Sequence, residues 1–122
     1  MNSKVGSLGL SEFCIDYEAS IFTAMSCINQ NTMGVAFVVD SAMKLQGVIS
    51  DGDIRRGLLK GLSLQSPVES IMQKSPITAS IKDSKQKLIG LSARYNIYEI
   101  PLLDENGKIV RIESIASLLR TP

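Results

Sequence analysis

The chain repeats itself. Asp40 closes the apolar run Val35-Ala36-Phe37-Val38-Val39, and Lys44 opens a second run, Leu45-Gln46-Gly47-Val48-Ile49. Sixty-four positions later Asp104 closes Glu99-Ile100-Pro101-Leu102-Leu103, and Lys108 opens Ile109-Val110-Arg111-Ile112. Two short apolar runs around an acidic turn read as a hairpin, and Asn106-Gly107 supplies a residue pair that tolerates positive φ. The 122 residues make about one domain. A half of roughly 60 residues is marginal alone, so the expected fold is two copies that bury their apolar faces together.

A helical pattern precedes each hairpin. Over residues 18–28, Ile21, Met25 and Ile28 fall on one face at helical spacing, and residues 84–95 are the counterpart. Helices over 54–60, with Gly61 as the stop, and over 115–120 close the halves. Short extended pieces at 13–15 and 76–79 open them. Residues 66–72 read as a short capped helix with Pro67 near its first turn, and Lys74-Ser75-Pro76 forces extended chain. The expected class is α/β (α+β), each half β-α-β-β-α. Repeat one spans about 11–61, a linker about 62–74 and repeat two about 75–120. The two small sheets would pack with pseudo-twofold symmetry and leave clefts in which ligands lodge.

Thirteen basic and twelve acidic residues nearly cancel. That removes the basic excess of a nucleic-acid binder, and Lys82, Lys85 and Lys87 read as a solvated helix face. There is no histidine, hence no commonest general base and no commonest metal ligand. Cys14 and Cys27 form no CxxC pair and read as buried thiols in a reducing compartment. Residues 1–10 lack the apolar run of a signal peptide, and no stretch has the length to cross a bilayer, so a cytoplasmic protein is expected.

The chemistry concentrates at Ser50-Asp51-Gly52-Asp53-Ile54-Arg55-Arg56. A hydroxyl and a carboxylate three positions apart stand where a strand gives way to a helix. Unpaired N–H groups and the positive dipole end suit a phosphate there, and a carboxylate suits the paired hydroxyls of a ribose. The competing reading makes Ser50 and Asp53 a helix cap, with Asp53 paired to Arg56 at i+3. Arg55 and Arg56 have the reach for a phosphate tail, and equally for Asp51 and Asp53. A calcium loop is excluded, because the twelfth position from Asp51 is Leu62. Serine and aspartate without an activating base make no catalyst, so no enzyme is expected.

From about residue 11 to 119 the chain resembles the CBS-domain pair, or Bateman module. The carriers are Val38-Val39-Asp40 and Leu102-Leu103-Asp104, each followed by a lysine-led strand, and Gly47-Val48-Ile49-Ser50-Asp51-Gly52-Asp53. The resemblance implies that Asp53 accepts hydrogen bonds from both ribose hydroxyls and that Ser50 meets a phosphate or ribose oxygen. By position it places Phe13, Cys14, Met33 and Val48 against the base. The implied ligand is AMP, ADP or ATP, with no cofactor required. The string from Ser50 to Gly61, followed by Pro67 to Met72, looks like the CBS pair preceding bacterial sugar-nucleotidyltransferase domains. A similar Asp-Gly-Asp-(Leu/Ile)-Arg-Arg string occurs in CBS pairs of sugar-phosphate isomerases. The expectation is a regulatory adenine-nucleotide-binding homodimer that modulates a fused or partner nucleotidyltransferase, the alternative being a ligand-free assembly module. The second half departs from the pattern. Arg111 stands where Gly47 stood, no S-x-x-D appears, and the stretch to the closing helix reads about three residues shorter. One competent nucleotide site is therefore expected.

Overall fold

The structure, a computed structural model, describes residues 7–120. It forms two compact units, one of residues 11–76 and one that joins the N-terminal strand to the chain from Ile77 onward. The first contains β2 (Cys14–Asp16), α2 (Ile21–Asn31), β3 (Val35–Val39), β4 (Leu45–Ser50) and α3 (Asp51–Leu59), entered through the helical turn α1 (Leu10–Phe13). The second contains β5 (Ala79–Ser80), α4 (Lys85–Tyr95), β6 (Glu99–Leu103), β7 (Ile109–Ser114) and α5 (Ile115–Arg120). The N-terminal strand β1 (Ser7–Leu8) pairs antiparallel with β7, which makes that sheet four-stranded, β1-β7-β6-β5, against β2-β3-β4 in the first unit. Each unit is β-α-β-β-α, as expected.

The 64-residue offset governs local structure as well as sequence. Ser20 and Ser84 cap α2 and α4 by accepting from the Thr23 and Lys87 N–H groups. Both helices end in a left-handed residue, Thr32 at φ 60° and Asn96 at φ 56°. The helix crossover lets the opening strand pair in parallel, Ile15 beside Val38 and Ala79 beside Leu102. The hairpins share one register, Val38 beside Gly47 and Leu102 beside Arg111, with one irregularity just beyond. Asp40 Oδ1 accepts from the Ala42 and Lys44 amides at 2.9 Å each, and Asp104 Oδ1 from Asn106 and Lys108 at 2.9 and 3.0 Å. The third residue of each turn is left-handed, Met43 at φ 65° and Gly107 at φ 82°.

Several expectations need correction. Helix α2 starts at Ile21 rather than near Glu18, and its buried stripe is Ile21, Ala24 and Ile28, while Met25 is 39% exposed. Phe13 ends α1 instead of lying on the opening strand, which runs Cys14–Asp16. The piece read at 76–79 pairs only at Ala79–Ser80. The short helix is one 3-10 turn, Val68–Ser70, and Pro67 at its N-cap offers no side-chain bond. The second half is not shorter. Helix α5 begins at Ile115 just as α3 begins at Asp51, 64 positions earlier, so Ser114 answers to Ser50 and Ser117 to Asp53.

Residues 62–74, read as a linker, pack on the first unit. Val68 is fully buried in the core with Ile15, Ile21, Val38 and Ile49, and a valine so placed contributes about 1.5–3 kcal/mol. Val48 and Gln73 exchange two backbone hydrogen bonds, 3.0 and 2.8 Å. Two glycines admit the segment. A Cβ on Gly47 would lie 2.7 Å from the Gln73 carbonyl oxygen, and one on Gly57 2.8 Å from Ile71 Cγ2.

The two hairpin turns make a matched test. A Cβ at Gly107 meets nothing within 4 Å, so Gly107→Ala isolates the left-handed backbone cost and is expected to lower stability by about 1 kcal/mol. Met43→Gly is expected to raise it by up to about 1 kcal/mol, the relieved strain exceeding the added unfolded-state entropy. Urea denaturation reads both, and equal signs for the two variants contradict the equivalence of the turns.

Candidate functional site

Strand β4 ends in Ser50 and α3 begins at Asp51, so the strand delivers Ser50 to the helix mouth in extended conformation, φ −110° and ψ 167°. There Ser50 and Asp53 form a reciprocal capping box. The Asp53 amide donates to Ser50 Oγ at 3.2 Å, and the Ser50 amide donates to Asp53 Oδ2 at 2.9 Å. The Ser50 hydroxyl also donates to Oδ2, at 3.1 Å. On the other oxygen, Oδ1 accepts from Arg56 Nη2 at 2.9 Å and from Gln73 Nε2 at 3.0 Å. A carboxylate has about four acceptor positions, and here four donors fill them.

Asp53 is 6% exposed. Burial pushes its carboxyl up. The hydrogen bonds from the Ser50 amide, Gln73, the Ser50 hydroxyl and Arg56 outweigh that and hold it below its ordinary value. The group is therefore an anion at neutral pH.

The helix mouth is less open to phosphate than the sequence implies. The Ser50 and Asp53 amides are engaged in the cap, and the Asp51 amide donates to the Gly34 carbonyl at 3.2 Å. Asp51 and Asp53 also place two carboxylates in the first turn, which repel an incoming anion. Cationic partners for phosphate lie further along α3. Arg56 lines a recess of about 230 Å³ with Asp53, Lys60, Ser70 and Gln73. Arg55 instead lines a groove of about 710 Å³ between α2 and α3, with Met25, Ile28, Asp51, Ile54 and Leu59. The larger cavity thus holds neither Ser50 nor Asp53, and the smaller is below the size of a pocket that encloses a nucleoside.

The expected base contacts separate. Cys14 pairs with Phe37 and Phe37 with Val48, so the three side chains form a row on one face of the sheet. Ser50, two residues beyond Val48, continues that face. Cys14 and Val48 are half-buried and Phe37 is buried. The opposite face carries the core residues Ile15, Ala36, Val38 and Ile49. Phe13 is 2% exposed, a buried residue, whereas Met33 is 42% exposed. Cys14 shares a recess of about 350 Å³ with Cys27. Burial, and then the Cys27 thiol, push the Cys14 thiol up to about 12, and burial raises Cys27, which favours the protonated thiol over the thiolate at both.

Two residues escaped the sequence reading. Phe37 is the middle of the row, and strand alternation from Ala36 and Val38 was the available signal. Gln73 is the fourth ligand of Asp53, twenty residues away, and no local pattern marks it. Among the described residues no three metal-ligating side chains cluster, and no helix is long and apolar enough to cross a membrane.

The model of the CBS domain matches residues 5–60 and again 68–119. The arabinose 5-phosphate isomerase GutQ of Shigella flexneri is 34% identical over 95 residues, which are 75% of this chain and 28% of that protein. The chain thus spans less than a third of the curated relatives it matches. A CBS domain protein of Pyrobaculum aerophilum complexed with AMP is 25% identical with a TM-score of 0.74, covering 86% of this chain and 81% of that one. The CBS domain pair of protein MJ0100, in complex with 5′-methylthioadenosine and S-adenosyl-L-methionine, shares the fold at 24% identity and a TM-score of 0.74, over 88% of each chain. With both halves matched and the β-α-β-β-α units in place, the chain belongs to the CBS-domain family as a tandem pair.

Proposed function

We propose that this CBS pair is a regulatory module that binds an adenine nucleotide, AMP, ADP or ATP, through the first unit's Ser50–Asp53 motif. The observation that carries the reading is the ionised, buried Asp53 carboxylate held beside the Ser50 hydroxyl at the start of α3. Two ribose hydroxyls donating to one carboxylate make charge-assisted bonds that fix both affinity and orientation. The row Cys14, Phe37 and Val48 offers an apolar face on the same side of the sheet as Ser50 for a base. Arg56 and Lys60 offer charge to phosphate. Met33 is exposed enough to join the base, whereas Phe13 is buried. The AMP complex of the Pyrobaculum aerophilum relative supports the ligand class. In the second unit Ser117 replaces the acid, so that unit carries no equivalent grip.

The output is a catalytic domain acting on sugar phosphates or sugar nucleotides, fused or separate. The GutQ relatives support a sugar-phosphate isomerase. The string from Ser50 to Met72 supports a sugar-nucleotidyltransferase. A ligand alters that output only through its difference in affinity for two arrangements of the module.

Assembly is the second reading. Leu59 is 81% exposed and Met25 39% exposed, both on the apolar groove between α2 and α3. Apolar side chains grouped this way mark an interaction surface, here assigned to a second copy in a homodimer.

Thermal melts against a nucleotide panel test the first reading. Ligand at tenfold its Kd adds about 1.4 kcal/mol, which raises Tm by roughly 3–6 °C for a domain of this size. Asp53→Asn is expected to abolish that rise while the protein still folds. No shift with any adenine compound at millimolar concentration sinks the proposal. Sedimentation velocity tests the second. Wild type is expected as a dimer and Leu59→Lys as a folded monomer, and an unchanged dimer removes the groove from the interface.

A further inference from the structure

We infer that Gln73, together with Arg56, is a built-in competitor for the sugar diol, so that Gln73 sets the module's nucleotide affinity. The inference rests on the proposed role of Asp53. A ribose that donates two hydrogens needs two acceptor positions on that carboxylate, and all four are filled. Both Ser50 donors sit on Oδ2, and the amide's bond is half of the capping box that closes the start of α3. The two on Oδ1 are held by the ends of long side chains. Arg56 is 61% exposed and Gln73 is exposed, so both have solvent to turn into. The diol therefore enters by displacing Arg56 and Gln73.

The two donors are not equivalent. Arg56 sits on the same helix three residues on, and its charge remains close wherever its side chain swings. Gln73 reaches Asp53 from the segment after the 3-10 turn, which the double backbone bridge to Val48 and the close approach to Gly47 hold in place. Its amide is thus presented to Oδ1 by structure 20 residues away. When nucleotide takes that position, the 68–73 segment loses its side-chain hydrogen bond to α3 and keeps the packing of Ile71 on Gly57. By reciprocity, whatever draws that hydrogen bond away raises nucleotide affinity by the same factor.

The test is titration calorimetry with AMP on wild type, Gln73→Ala and Gln73→Met. Losing one competing bond is expected to tighten AMP by about 3–10-fold in both variants. In wild type, the Gln73 side-chain amide resonances should move to free-amide positions as AMP saturates. Melting of the ligand-free variants confirms that they fold. AMP bound equally or more weakly by both variants overturns the competitor while leaving the Asp53 site standing. An unmoved Gln73 amide at saturation does the same. No AMP binding by wild type or either variant removes the site, and the inference with it.

Discussion

One carboxylate ties the first unit together. Asp53 closes the N-terminus of α3 through Ser50, pairs with Arg56 along the helix, and receives Gln73 from the segment that follows. Strand, helix and connecting segment thus meet at a single buried anion. Such a group is costly to bury alone, and removing any donor returns part of that cost. The same satisfaction that stabilises the anion also makes it unavailable. Under the proposed role, a ligand reaches this carboxylate only by exchange with donors already in place.

This exchange separates fold from function in an unusual way. Helix capping and ligand capture were competing readings of Ser50 and Asp53 in the sequence. The geometry makes the first true in the resting protein, and the second requires the donors on Oδ1 to leave. The Asp51 and Asp53 amides are engaged and two carboxylates stand at the mouth, so the cationic side chains near Asp53 that suit a phosphate are Arg56 and Lys60, further along α3.

The fold was legible because its signals are local and duplicated. The serine caps, the aspartate turns and the lysine-led strands each recur after 64 residues, and periodicity separates helix from strand. What escaped was set by contacts distant in sequence. The N-terminal strand joins β7, and nothing in Ser7-Leu8 announces a partner more than a hundred residues away. Phe13 looked like strand because it is apolar and adjoins Cys14-Ile15, yet it completes a helical turn. The segment after Gly61 looked like a linker because it falls between the two repeats. Val68, buried among core residues of the first unit, makes it part of that unit. Anchoring α5 at Ile54 rather than Asp51 produced an apparent deletion, because α3 starts earlier than its first apolar residue.

The second unit shows what the grip demands beyond the fold. It keeps the register, the caps and the turn, yet Arg111 replaces Gly47, Glu113 replaces Ile49 and Ser117 replaces Asp53. Gly47 is the residue whose missing side chain lets the Gln73 backbone approach β4. At the counterpart of Val48, Ile112 pairs with Leu8 of the N-terminal strand, so β7 too has a chain along its outer edge, although Arg111 stands in the place of Gly47. Glu113 then stands buried where a core isoleucine belongs, bonded to Arg111 at 2.8 Å through one oxygen while the other has no partner among the described residues. A unit that needs the fold alone tolerates such a pair. Both units therefore keep a chain beside the hairpin's outer strand, and what separates them is the glycine and the buried aspartate of the first.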